Sequence, residues 1–208
     1  MLEDLLRLVD DPLAVADLRR SDSPVYPRRR FEFVGGVDPL RVTAGDLVAL
    51  TLVGVCVPAG VALDLLEGDL GLDVADLLRQ VPADVPITAP LAPDLQRPLA
   101  LARDLLVEPA GMDLRTAGTL LARKRPLLVP VPDPVVLCAL GWSDDPFGWA
   151  LSAFSADGGV LGDVVAAARA EAGLVTTGDL RAFETVFWMR HHREHLRTHC
   201  RGLRLRTS

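Results

Sequence analysis

Aspartate-proline pairs decide where this chain can begin a helix. Four such pairs stand in the chain; those at Asp11-Pro12, Asp133-Pro134 and Asp145-Pro146 each precede a stretch with helical periodicity, and the fourth is Asp38-Pro39. Aspartate accepts the free amides of a first helical turn, and proline suits the first helical position, where its missing N–H costs nothing. The same proline stops a helix arriving from upstream. Between such points lie short stretches rich in Leu, Val and Ala. Half of the residues are hydrophobic and only 5% are aromatic. A core of that composition favours helix packed on helix over a β-sandwich, which needs more β-branched and aromatic residues.

The periodicity predicts helices over 2–8, 13–18, 43–56, 58–66, 74–80, 95–107, 114–124, 134–141, 146–154 and 161–172, with a long final helix from 177–179 to about 201. Thr43 is the expected N-cap of the third, with Asp46 in the capping-box position. Gly68 and Gly71 are expected to break the chain, and Gly173 to end a helix. Phe31-Glu32-Phe33-Val34 alternates and is expected to be a short extended piece. Four prolines in 81–93 mark a loop, too short to separate two domains. Leu47–Leu63 carries no charge, but Pro58 and Gly60 divide it into two buried helix pieces rather than one membrane span.

The net charge is -6, which argues against a chain coated in nucleic acid. Arginine outnumbers lysine 21 to one, the single lysine being Lys124. Cys56, Cys138 and Cys200 are distant from one another and odd in number, so they suggest neither a disulfide framework nor a paired metal motif. The first residues are acidic (Glu3, Asp4), so no signal peptide is read. The expectation is a cytoplasmic protein with no membrane segment and no cofactor.

The run Glu108-Pro109-Ala110-Gly111-Met112-Asp113-Leu114-Arg115-Thr116-Ala117, followed by Val131-Pro132-Asp133-Pro134-Val135-Val136, resembles the helix-hairpin-helix core of base-excision DNA glycosylases. In that superfamily a Gly-x-Gly turn opens a helix with Thr-Ala, and an aspartate follows in a Pro-Val-Asp-x-x-Val segment. Gly111, Thr116, Ala117, Asp133 and Val136 match, and Asp133 lies twenty residues after Asp113. The resemblance implies that Gly111, Arg115 and Thr116 meet a DNA phosphate through the turn and the helix N-terminus. It implies that Asp133 stabilises charge on the sugar or activates water. Two positions depart from the pattern. Asp113 replaces the second glycine and puts an anion where an anion should dock; by itself it reads as an N-cap. Arg115 replaces the lysine of bifunctional members, and a guanidinium cannot form their imine. Asp133 also reads as the N-cap of a helix beginning at Pro134.

A second resemblance spans more of the chain. The segments Thr43–Leu50, Leu120–Val131 and Phe187–His192 are similar to a family of actinobacterial proteins of about this size and of unknown function. That likeness implies no mechanism.

The C-terminal segment is basic. Residues 188–208 hold Arg190, Arg193, Arg197, Arg201, Arg204 and Arg206 against Glu194. These arginines read either as cations favoured by a helix C-terminus or as a phosphate-facing strip, with Arg193, Arg197 and Arg201 as its centre. His191, His195 and His199 share one helical face at i, i+4, i+8, a spacing that can hold a metal, although none is expected.

Together these features predict an all-α, single-domain helical bundle over 1–208. Its helix-hairpin-helix-like core covers about 95–141 and its basic final helix about 178–201. The expected function is a non-enzymatic module that associates with nucleic acid or with a protein partner. The alternatives are a monofunctional DNA glycosylase using Asp133 and a purely structural interaction protein.

Overall fold

The computed structural model describes residues 2–90, 92–141 and 144–195. Among them there is no strand. The helices are α1 (Leu2–Val9), α2 (Pro12–Ser21), α3 (Ala44–Thr51), α4 (Ala59–Glu67), α5 (Asp69–Leu78), α6 (Gln96–Val107), α7 (Leu114–Lys124), α8 (Pro134–Ala139), α9 (Pro146–Ser155), α10 (Val160–Ala172) and α11 (Asp179–His195). The all-α expectation holds. Leu47–Leu63 is divided between α3 and α4 at Pro58, whereas Gly60 lies inside α4, a largely exposed helix rather than a buried one.

Capping explains most of the starts. The Asp11, Asp113, Asp133 and Asp145 side chains each accept a first-turn amide. Thr43 and Asp46 form the complete capping box of α3. Two local expectations are corrected. Phe31–Val34 is not extended: the N–H groups of Phe31, Phe33 and Val34 return to carbonyls three or four residues back, continuing the 3₁₀ turn Pro27–Arg30. Nor does Gly71 break the chain. It lies inside α5, where a Cβ would stand 2.3 Å from the Leu65 carbonyl oxygen. Its missing side chain lets α4 and α5 meet closely.

The chain gathers into two compact units. Unit 1 comprises Met1–Tyr26 and Pro132–Ser208, and unit 2 is Pro27–Val131. Helical periodicity locates apolar faces but does not say which faces meet, so this division has no signature in composition.

In unit 1, α11 packs against α2, α8 and α10, while α10 also meets α1 and α9. Leu180, Ala182, Phe183, Val186, Phe187 and Met189 line the buried side of α11. Phe183 lies 5.4 Å from Phe154 and 4.6 Å from Phe187, ring centroid to centroid. Such aromatic pairs add to the burial itself. The run Pro146–Ala172 is long and apolar enough to cross a membrane by length and composition. Asp157, Gly158 and Gly159 take positive φ inside it and separate α9 from α10.

In unit 2 the helices pack in chain order, α4 on α5, α5 on α6 and α6 on α7, with α3 returning to α7. The end of α7 is unusual. Arg123, Lys124 and Arg125 are each 1% exposed. Asp46, fully buried, takes Arg123 Nε at 3.0 Å and also Lys124 Nζ. The remaining donors of Arg123 reach the carbonyls of Phe31, Val34 and Gly36. Lys124 also donates to the carbonyls of Asp38 and Arg41. These cations thus tie the irregular segment 31–41 to α7 and α3.

Candidate functional site

The hairpin between α6 and α7 is built as a turn that satisfies itself. Gly111, at φ +73°, reverses the chain in a conformation that other residues resist. Its N–H and that of Met112 donate to the carbonyls of Val107 and Leu106 at 3.0 and 3.1 Å. Met112 is then buried beneath the turn.

At the α7 N-terminus Asp113 accepts the Thr116 N–H at 2.9 Å through one oxygen and the Thr116 hydroxyl at 2.6 Å through the other. Thr116 is buried. Arg115 turns away from the hairpin and donates to the Val53 carbonyl at 3.0 Å. The helix terminus is therefore already occupied by the chain's own carboxylate. An incoming phosphate would have to displace it.

The Thr116 hydroxyl, foremost, holds the Asp113 carboxyl below its ordinary value of 3.8. A carboxyl whose folded value is depressed contributes stability above the unfolded value, and that contribution is lost as pH falls through the lower folded value. Urea midpoints at about pH 5 and about pH 3 should therefore differ less in Asp113→Asn than in the parent chain. Equal differences would remove Asp113 from the acid sensitivity.

Asp133 lies in unit 1, whereas Gly111, Arg115 and Thr116 lie in unit 2. Asp133 is 4% exposed, and its Oδ1 accepts the amides of Val135 at 2.8 Å and Val136 at 3.4 Å. It thus caps α8, the structural role read from the Asp-Pro pair.

On α11, Arg190 pairs with Asp17 at 3.2 Å and with Asp11 at 3.4 Å, and so serves the packing of unit 1. Arg193 is exposed. Arg197, Arg201, Arg204, Arg206, His199 and Cys200 lie outside the described residues. The Trp188 and His192 rings stack 4.2 Å apart, and Tyr26 meets the Trp188 ring edgewise at 5.9 Å.

One grouping was not legible in the sequence. Cys138 on α8 stands 3.4 Å from His191 Nε2, and Cys138, His191 and His195 each offer a ligand atom within 4.8 Å of the others. The i, i+4 pairing of the two histidines is visible in sequence. Its partner is a cysteine more than fifty positions upstream, brought close only by the packing of α8 on α11.

These features define an all-helical protein of two compact units, with a self-capped hairpin in one and a thiol-imidazole cluster in the other. The chain belongs to the family of unknown function DUF6308, which it matches over residues 14–191. No curated protein and no solved structure matches it. The likeness to DNA glycosylases therefore rests on the local sequence of the hairpin.

Proposed function

We propose that the chain is a non-enzymatic interaction module and that its working surface is the α4–α5 pair of unit 2, which takes a cationic amphipathic helix of a protein partner. One observation carries this reading. From Ala59 to Leu78 the chain holds five acids, Asp64, Glu67, Asp69, Asp73 and Asp76, all exposed, and no base; Arg79, the next residue, pairs with Asp76 and leaves four acids unmatched by a base on these helices. Among them Leu63, Leu66 and Leu72 are 60%, 39% and 57% exposed. Leu63 and Leu66 are neighbours on one helical face. Exposed leucines rimmed by one sign of charge suit a partner helix with an apolar stripe and flanking cations. The same surface repels nucleic acid.

A synthetic leucine-lysine amphipathic helix, labelled for fluorescence anisotropy, tests the reading. It should bind and weaken with salt, whereas a leucine-glutamate helix should not bind. Changing Leu63 and Leu66 to Glu removes apolar burial worth about 1.5–3 kcal/mol per leucine, so affinity should fall by about tenfold or more. Equal affinity in the variant would overturn the assignment of this face.

Association with nucleic acid is the competing reading, supported by the exposure of Arg193. It places Arg193, Arg197 and Arg201 on DNA phosphates. Anisotropy against undamaged, abasic-analogue and mismatched duplexes separates the two. Salt-sensitive binding lost in Arg193→Glu would favour the arginine strip. Preference for the abasic analogue, with base release abolished by Asp133→Asn, would favour a monofunctional glycosylase instead.

A further inference from the structure

We infer that Cys138, His191 and His195 form a binding site in unit 1 for a thiophilic transition-metal ion, zinc(II) or copper(I). The site is independent of the α4–α5 surface. Three observations carry it.

The first is the ligand set. One thiol and two imidazoles, with their donor atoms within 4.8 Å of one another, are the donors that soft and borderline metals select. Around a tetrahedral zinc, with bonds of about 2.3 Å to sulfur and about 2.0 Å to nitrogen, ligand atoms stand roughly 3.6 Å apart. Cys138 Sγ and His191 Nε2 are 3.4 Å apart before any ion is considered. Closing the third corner asks for about 1 Å of movement from His195, within the reach of a rotamer adjustment.

The second is an orphaned donor. His195 Nδ1 is buried and makes no hydrogen bond among the described residues. A buried polar nitrogen without a partner carries a desolvation cost that a metal bond would remove.

The third is access. Cys138 is 3% exposed and His191 is fully buried, so an organic substrate has no route to the thiol. That argues against reading the pair as a nucleophile and its base. A bare ion is small enough to enter, and His195, partly exposed, marks the side from which it can come.

Three protein ligands leave one position of a tetrahedral ion for water, and complete a trigonal copper(I) site. Uptake converts the Cys138 thiol to a thiolate and releases its proton to solvent. Copper(I) with one thiolate and two neutral imidazoles would be uncharged overall, and zinc(II) would carry a single positive charge.

The test uses the full chain on a Cys56→Ser background, because Cys56 is an exposed thiol that could take up metal by itself. The chelator-treated protein is titrated with cobalt(II) as a zinc analogue and, separately and without oxygen, with copper(I). One equivalent of either ion should bind. Cobalt should give the near-ultraviolet thiolate charge-transfer band, and copper(I) a thiolate band of its own. Thermal unfolding should rise by roughly 5 °C with free ion a hundredfold above Kd. His195→Ala, at a partly exposed position, should fold with an unchanged far-ultraviolet spectrum yet lose at least tenfold in affinity. Cys138→Ser should lose the thiolate band. Binding of neither ion, or a cobalt band that persists in Cys138→Ser, would overturn the site and leave the 3.4 Å contact as a plain thiol-imidazole hydrogen bond. Which ion survives competition identifies the preferred metal.

Discussion

Replacing Asp46 with asparagine should cost unit 2 about 3–5 kcal/mol, the range for removing one partner from a buried ion pair. A domain is stable by only about 5–15 kcal/mol in total, so the variant should populate unfolded forms under mild urea. Asparagine keeps the shape of the side chain and can still accept from the Thr43 N–H and hydroxyl, which Asp46 meets at 2.9 and 3.0 Å. What it removes is the negative charge between Arg123 and Lys124, both buried with it. The loss should therefore exceed the ~1 kcal/mol typical of a helix cap. The deficit should also depend on pH. Burial, first, lowers the Lys124 amine from 10.5, against the raising influence of Asp46. Without that carboxylate the folded amine drops further. A cation whose folded value is depressed destabilises fully below that value, and the cost is relieved as pH rises toward the unfolded 10.5. Urea midpoints for Asp46→Asn should thus approach the parent's as pH is raised. A deficit of less than about 1 kcal/mol near neutrality would mean that the backbone carbonyls alone hold these two cations.

The ends of the helices were legible in this sequence and the contents of the core were not. Asp11, Asp113, Asp133, Asp145 and the Thr43–Asp46 box are read within four residues, because a cap is a local contract between a side chain and the next turn. Gly71 was misread because its reason is the approach of another helix. Arg123, Lys124 and Arg125 look in sequence like the solvated end of a helix. The acceptors of Arg123 and Lys124, the carbonyls of 31–41 and the Asp46 carboxylate, lie 77 to 92 residues upstream, and Arg125 reaches the Val81 and Leu78 carbonyls 44 and 47 residues upstream. Asp46 was recognised as a cap and missed as a counterion for the same reason. The candidate sites divide likewise. The hairpin's self-capping follows from Asp113 and Thr116, three positions apart, whereas Cys138 meets His191 only through helix packing.

Arg125→Lys keeps the charge and should nevertheless destabilise unit 2 by about 3 kcal/mol. Among the described residues, the hydrogen-bond partners of Arg125 include no carboxylate. Its Nε donates to the Val81 carbonyl at 2.6 Å, one terminal nitrogen to the Pro39 and Lys124 carbonyls at 2.7 Å each, and the other to the Leu78 carbonyl. A planar fork reaches the end of α5, the loop at Pro39 and the end of α7 together, which the single nitrogen of lysine cannot do. The Leu78 oxygen also receives the Val81 N–H, so it keeps a partner in the variant. Val81 and Pro39 would compete for one ammonium, and each buried carbonyl left without a donor costs about 1–3 kcal/mol. Desolvation already pulls Arg125 down to about 10. A lysine in the same place starts from a lower value and is pulled further, so Arg125→Lys should gain stability relative to the parent as pH rises. Arg125→Met separates the two costs, since it removes the charge and orphans both the Val81 and the Pro39 oxygens, one more than lysine leaves. If the lost hydrogen bonds dominate, the methionine variant should be the less stable of the two at neutral pH. If burial of the cation dominates, methionine should match or exceed the parent, and the fork would then fix the geometry of the three segments without stabilising them.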